Sequence, residues 1–482
     1  MTRNNSKIKG FVVAAPISGS GKTTVTLALM AALKKKGLQV APFKVGPDFI
    51  DPGHHGRVTG RTSRNVDGWM LERTTCRQIF SDAARDADIA VAEGVMGLYD
   101  GYDGTSESGS TAQMAKWLGL PVLLVVDASS MARSFAALVK GFLDFDPDLR
   151  FCGVLANNVG SDRHLAYLQQ ALAGTTDVPL LGAIPRNADV TIPDRHLGLY
   201  TADDHALSDA AVDALADMAA ARLDLDVLVK RLPEVTPDEP DEPDEPDEPD
   251  APGMSAAPAP DLRIGVARDA AFCFYYEDNL DVLRQNGCDI QFFSPMTDAA
   301  PPRVDGLYFG GGYPELFAAA LSENVSMRET IFNLCASNMP VYAECGGFMY
   351  LCRKLVTADG RPYDMAGVFA FDVCMQQRLA ALGYREIEFV RDTPLGPAGT
   401  TVRGHEFHYS HLAETDAPAG ALPAYGATDK SGADRGCPGW LIHRCLGSYV
   451  HLHFKSRPSI GRGFAAACRK YKAEQEARHA AR

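Results

Sequence analysis

Phe11-Val-Val-Ala-Ala-Pro-Ile-Ser-Gly-Ser-Gly-Lys-Thr-Thr24 is the stretch that decides the fold of the N-terminal half. An apolar run about the length of a buried strand enters a turn of glycine and serine, and the helix-length segment Thr23–Lys36 follows. Glycines let backbone N–H groups turn toward an anion at a helix N-terminus, where unsatisfied donors and the helix dipole favour negative charge. Lys22 supplies a point charge for the outer phosphates of a nucleotide, and the Thr23 hydroxyl can reach Mg2+. Ser18, Gly19, Ser20, Gly21, Lys22, Thr23 and Thr24 are therefore the candidate phosphate-binding residues. Strand-like runs recur at Gly10–Ala15, Gln39–Phe43, Ile89–Glu93, Val122–Asp127 and Phe151–Asn157, separated by helix-length segments such as Thr111–Leu118. This alternation predicts an α/β domain built on a doubly wound parallel sheet.

The turn resembles a P-loop in Gly21-Lys22-Thr23 and in its strand-to-helix setting, although Pro16 stands where the usual pattern has glycine. Open α/β sheets bind ligands at the carboxyl ends of their strands, which directs attention to three further strand ends. In Lys44-Val-Gly-Pro-Asp-Phe-Ile-Asp-Pro-Gly-His54, Asp48 and Asp51 can hold Mg2+ or orient a substrate, or else cap turns. Glu93, before Gly94-Val-Met-Gly-Leu-Tyr-Asp-Gly101, stands where a Walker-B-like carboxylate belongs. Asn157 and Asn158 end another strand at the same edge and can read a base.

At 482 residues the chain has room for two or three domains, each with its own core. No run approaches the ~18 uninterrupted apolar residues of a membrane span, so a membrane protein is not expected. Arg3, Lys7 and Lys9 ahead of the first apolar run mimic a signal peptide, but Pro16 and the glycines break it, and a cytoplasmic protein is expected. Eleven scattered cysteines without a CxxC pair suit a reducing compartment and offer no metal-site spacing. The net charge of −14 is largely local, because nine unbalanced Asp and Glu between Pro237 and Pro260 leave only −5 elsewhere. A nucleic-acid partner is not expected from so mildly acidic a remainder. The Pro-Asp-Glu repeat itself cannot build a core, so residues 233–261 read as an extended acidic tether. The expected division is 1–232, the tether, 262–470, and a polar tail at 471–482.

After the tether, Leu262–Ala267, Asp289–Ser294, Gly306–Phe309 and Pro340–Ala343 repeat the strand style, and Leu441–Phe454 reads as late strand, giving a second α/β domain. Val341-Tyr-Ala-Glu-Cys-Gly-Gly347 puts Cys345 at a strand end before two glycines and the helix-like Phe348–Leu355. This is the logic of a nucleophile elbow: a strained turn exposes the thiol, a helix N-terminus is expected to lower its pKa, and the next N–H can hold an oxyanion. Gly310-Gly-Gly-Tyr-Pro-Glu315 is a second glycine turn able to add an N–H. A thiol nucleophile needs a base, and Tyr449-Val-His-Leu-His-Phe454 offers His451 and His453 on one face of a strand. Arg403-Gly-His-Glu-Phe-His-Tyr409 reads as extended, and its His405 and His408 are candidates to line a polar substrate pocket.

These motifs, in this order, resemble the cobyrinic acid a,c-diamide synthase family over nearly the whole chain apart from the tether and the C-terminal end. The resemblance implies a two-site amidoligase. Its N-terminal domain is similar to dethiobiotin synthetase, which binds ATP with Mg2+ and phosphorylates a carboxylate. By that likeness Lys22 neutralises the transferring phosphate, Thr23, Asp48 and Glu93 hold Mg2+, Asp51 orders the site and Asn157 faces adenine. The acyl phosphate gives attacking ammonia a good leaving group. The C-terminal domain resembles class I glutamine amidotransferases, with Cys345 attacking the glutamine amide, His451 shuttling protons, and the N–H groups of Gly346 and Gly311 holding the oxyanion. The implied small molecules are cobyrinic acid, L-glutamine and ATP, with no nucleic acid or membrane; a homodimer stays open.

The wider amidotransferase pattern has a glutamate two residues after its histidine. Here His453 occupies that place, so the usual orienting carboxylate is missing and either histidine can be the base. Ala343 stands where that wider pattern has glycine. Rival readings are the same reaction on hydrogenobyrinate or nickel-sirohydrochlorin, or a cobyric acid synthase, whose motif differs at Lys44–Asp48. A regulatory P-loop ATPase with a vestigial amidotransferase domain is another, but its signature lysine is replaced here by Ile17.

Overall fold

The computed structural model describes residues 7–186, 207–235, 259–413, 420–436 and 438–480, so most of the acidic tether lies outside the described residues. The chain divides into two compact units, Met1–Asp247 and Glu248–Arg482.

In the first unit the strand Ile8–Ala14 is almost wholly buried, as a central strand must be when helices cover both faces of a parallel sheet. Across the sheet the order is Arg64–Val66, Val40–Val45, Ile89–Glu93, Ile8–Ala14, Val122–Asp127, Phe151–Val159 and Leu180–Pro185, all parallel to their neighbours. Among the described strands of this sheet, only the short Glu234–Val235 runs antiparallel, against the start of Ile8–Ala14. The chain builds the sheet first to one side of Ile8–Ala14 and then to the other, which creates a crevice at the carboxyl edge. Register sets Glu93 beside both Val13 and Lys44, so the phosphate-binding turn and two charged side chains share that edge. The helix Lys22–Lys35 starts directly from the turn, and its buried run from Val25 to Leu33 packs with the helix Asp209–Arg222.

The second unit is centred on a seven-stranded sheet in the order Cys288–Phe293, Leu262–Ala267, Gly306–Phe309, Val341–Glu344, Cys445–Ser448, Gly439–Ile442 and Leu422–Pro423. The first five strands are parallel, and the last two turn antiparallel. Two four-stranded sheets that the sequence reading does not anticipate complete the unit. One joins Pro362–Asp364, Cys352–Val356, Phe369–Met375 and Ser410–Leu412; the other joins Tyr425–Asp429, Ala381–Phe389, Thr401–His408 and His451–Leu452. In the latter, antiparallel register sets His405 opposite His451.

Two expectations need correcting. The helix expected over Phe348–Leu355 is Gly346–Leu351; from Cys352 the chain becomes a strand, because exposed Arg353 between buried Cys352 and Leu355 fits a strand with one face covered, paired with Pro362–Asp364 on one side and Phe369–Met375 on the other. The polar tail expected from residue 471 belongs to the packed helix Ser459–Ala480. Ile460, Phe464, Cys468 and Tyr471 recur every three or four residues on its buried face, and Arg444 pairs with Glu474 at 2.8 Å. Among the described residues no helix is long and apolar enough to cross a membrane.

Candidate functional site

Gly19 and Gly21 adopt φ of +78° and +85°, a region where only glycine sits without strain. A Cβ on Gly21 would also collide with the side-chain amide of Asn157. Asn157 comes from the carboxyl end of the Phe151–Val159 strand, and its Nδ2 donates to the Ser20 carbonyl at 2.9 Å, bracing the turn from below. Lys22 Nζ donates to the carbonyls of Met96 at 2.5 Å and Ile17 at 3.4 Å, tying the turn to the segment after Glu93. Burial, and then the charge of Lys44, hold the Lys22 ammonium below its usual range.

Beside the turn lies a buried ionic cluster. Glu93 Oε1 accepts from Thr23 Oγ1 at 2.7 Å and from Lys44 Nζ at 3.0 Å, while Oε2 meets His55 Nε2 at 2.8 Å. Lys44 also pairs with Asp51 at 2.5 Å and lies 4.0 Å from Asp48. Burial alone would depress Lys44, but Glu93, Asp51 and Asp48 outweigh it and keep the ammonium above its usual range. Asp48 Oδ1 accepts the N–H groups of Ile50 and Asp51, so that carboxylate caps the helix Ile50–Thr59. Lys44 and His55 were not among the sequence candidates. A lysine ending an apolar strand ahead of two aspartates was the available signal for Lys44.

In the second unit Cys345 has φ of +46°, a strained backbone for a residue with a side chain, and its N–H is anchored to the Ser448 carbonyl at 2.7 Å. A Cβ on Gly347 would come within 2.5 Å of the Phe309 carbonyl, so the glycine after the elbow lets two backbones approach. Cys345 Sγ lies 3.9 Å from the Phe407 carbonyl, and the Gly346 N–H is directed at the sulfur. The expectation of a lowered thiol pKa is corrected: burial pushes the thiol well up, Glu315 adds to this, and the Gly346 N–H offsets only part of it. The Gly311 expectation is corrected as well, because that N–H donates to the Phe274 carbonyl at 3.1 Å. The amide nitrogen of Gly312 lies 3.0 Å from where a Cβ on Gly346 would sit.

The two late histidines have different surroundings. His451 packs so tightly on Gly311 that a Cβ there would strike its ring, stacks on His405 with centroids 4.9 Å apart, and places Nδ1 3.8 Å from Glu344 Oε2. His453 Nδ1 instead accepts the Lys455 N–H at 3.3 Å, and its ring packs on Tyr276. Burial lowers His453 to about 4. His405 Nδ1 meets Tyr276 Oη at 2.9 Å, and burial together with the charges of His451 and His453 keeps it well below the usual histidine range. His408 stacks on Tyr449 at 3.8 Å and meets Glu406 at 2.9 Å. Burial would raise the Glu406 carboxyl, yet His408 and Arg385 hold it below the usual range.

A phosphate-binding turn on one parallel sheet and a cysteine elbow with its histidine on another define a class: glutamine-hydrolysing amidoligases with a nucleotide-binding domain. Residues 11–199 match the CobQ/CobB/MinD/ParA nucleotide binding domain, and residues 263–459 match the CobB/CobQ-like glutamine amidotransferase domain. The chain is 43% identical over 459 residues to cobyrinate a,c-diamide synthase of Syntrophotalea carbinolica, covering 95% of this chain and 98% of that one. It is 40% identical over 467 residues to the enzyme of that name from Leptospira interrogans, covering 96% and 99%. Against hydrogenobyrinate a,c-diamide synthase of Streptomyces coelicolor the identity is 42% over 494 residues, covering 97% and 99%. The chain belongs to the cobyrinate a,c-diamide synthase family.

Proposed function

We propose that this chain converts the a and c carboxylates of cobyrinic acid to carboxamides, using ATP to activate each carboxylate and glutamine to supply ammonia. The observation that carries the reading is the presence on one chain of a braced phosphate turn, with Lys22, Thr23 and Glu93 gathered at one sheet edge, and a strained Cys345 elbow on a second parallel sheet. Lys22 draws the γ-phosphate charge toward the turn, and transfer to a carboxylate oxygen makes an acyl phosphate whose phosphate leaves when ammonia attacks. Thr23, Glu93 and Asp48 present only oxygen ligands, the chemistry Mg2+ prefers, with Thr23 Oγ1 and Glu93 Oε1 converging at 2.7 Å. These residues would hold Mg2+, which when bound neutralises charge on the phosphates. Asp51 acts on this site by holding Lys44.

At the other site the Cys345 proton passes to His451, the thiolate bonds to the side-chain carbonyl carbon of glutamine, and the N–H groups of Gly346 and Gly312 hold the oxyanion. The same proton then leaves with the departing nitrogen as ammonia. Water, deprotonated by His451, splits the thioester to glutamate and restores the thiol. His451 rather than His453 is the base, because His453 is held by Lys455 N–H and Tyr276. Hydrogenobyrinate is the second reading of the acceptor, favoured by the Streptomyces relative. The proposed domains are 1–232 for ATP-dependent activation and 262 to the end of the Ser459–Ala480 helix for glutamine hydrolysis. Eight buried free cysteines among the described residues support a reducing, cytoplasmic location.

Cys345→Ala tests the two-site reading. Amidation with glutamine is expected to disappear while amidation with ammonia persists; loss with both donors contradicts it.

A further inference from the structure

With His453 in the usual place of a glutamate, the carboxylate that orients the histidine has to come from elsewhere. We propose that Glu344, the residue just before the nucleophile, supplies it, acting as the positioning residue that holds His451. The proposal deepens the glutaminase reading and rests on Cys345 and His451 being its working pair.

Side chains alternate along Val341–Glu344, so Glu344 shares a face with Tyr342 and is only 1% exposed. A carboxylate taken out of water at the end of an otherwise apolar strand needs compensating partners. Oε1 accepts from Tyr342 Oη at 2.6 Å and from the Leu452 N–H at 3.0 Å, while Oε2 accepts from Tyr308 Oη at 2.9 Å. The same Oε2 is the atom 3.8 Å from His451 Nδ1. One carboxylate therefore engages the imidazole and also the backbone of the next residue, locating the His451 segment from two directions. The separation is longer than a hydrogen bond, as is common in ligand-free sites that tighten when substrate binds. In the glutaminase reading on which this rests, Nε2 exchanges the proton with Cys345. Three neighbours are placed against the ring: Glu344 from its strand, His405 from Thr401–His408, and the Gly311 backbone from the glycine turn. His405 is held neutral by burial and bonded to Tyr276, so the stabilising negative charge beside His451 is that of Glu344.

The test is glutamine hydrolysis by the full chain across pH for the parent, Glu344→Gln, Glu344→Asp and Cys345→Ala, with near-UV circular dichroism to confirm folding. Glu344→Gln is expected to lower kcat by about a hundredfold, to leave KM for glutamine within a few-fold, and to move the acid limb of the kcat/KM profile, set by the His451 base, down by about one pH unit. Glu344→Asp keeps the charge and is expected to leave that limb in place with a smaller loss of kcat. A limb that stays put in folded Glu344→Gln, whatever the rate, overturns the proposal. Should Glu344→Gln not fold, Tyr308→Phe carries the test: it removes a donor from the oxygen facing His451, so the limb moves up, and an unmoved limb overturns the proposal. Cys345→Ala separates the two levels, because hydrolysis surviving in it would mean that the glutaminase site itself is misassigned.

Discussion

Replacing Lys44 with methionine isolates the charge in the cluster beside the phosphate turn. Nζ lies 2.5 Å from Asp51 and 3.0 Å from Glu93, and all three side chains are under 5% exposed. Methionine nearly matches the lysine stem in volume, so little of the effect comes from a cavity. What changes is that two buried carboxylates lose their shared cation, and breaking a buried ion pair from one side costs about 3–5 kcal/mol. The carboxyls can escape by protonation, and keeping one protonated at pH 7 against its ordinary range costs about 4 kcal/mol, which caps the loss near the same value. Glu93 retains Thr23 at 2.7 Å and His55 at 2.8 Å. A loss of about 4 kcal/mol lowers the melting temperature of a unit of this size by roughly 8–16 °C. The pH sign follows from linkage: the folded variant binds a proton that the unfolded chain releases, so its deficit is full at pH 7 and shrinks as pH falls toward 5. Calorimetry of Lys44→Met and the parent at both pH values reads this out, with ATP used to identify the transition of the first unit. A variant within about 1 kcal/mol of the parent at pH 7, or a deficit unchanged at pH 5, refutes the reasoning.

Two further outcomes follow from the same geometry. Asn157→Ala removes the brace on the Ser20 carbonyl and is expected to raise KM for ATP about tenfold, with kcat changed much less; an unchanged KM counts against the brace. Burial pushes the Cys345 thiol up, so in ligand-free protein its alkylation by iodoacetamide is expected to be slow at pH 7 and to accelerate as pH rises beyond the ordinary thiol range; rapid alkylation at pH 6 would contradict it.

The phosphate turn was legible because its function is local: strand, glycines, lysine and threonine are consecutive, and the backbone of one turn does the binding. The elbow was legible for the same reason, down to the positive φ at Cys345. The parallel, doubly wound character of the first unit followed from buried apolar runs alternating with helices, while its strand order came only with the structure. The two smaller antiparallel sheets were not anticipated, because Cys352–Val356 and Ala381–Phe389 mix charged and apolar residues and pair with partners far along the chain. Charge pairing was harder still. Lys44 and Glu93 are 49 residues apart and meet only through sheet register, so the motif around Lys44 and the carboxylate Glu93 were each visible while their pairing was not. Glu344 carries a signal of its own, because a glutamate ending an apolar strand needs buried partners. The surroundings that separate His451 from His453 come from Thr401–His408 and Tyr276, which no spacing within Tyr449–Phe454 could reveal.

Mass spectrometry of cobyrinic acid incubated with the chain, ATP, Mg2+ and glutamine, alongside a reaction without ATP, tests the central claim most directly. The account predicts two successive ATP-dependent conversions of carboxylate to carboxamide and then no further change. Cobyrinic acid left untouched while glutamine is hydrolysed would contradict the assigned acceptor.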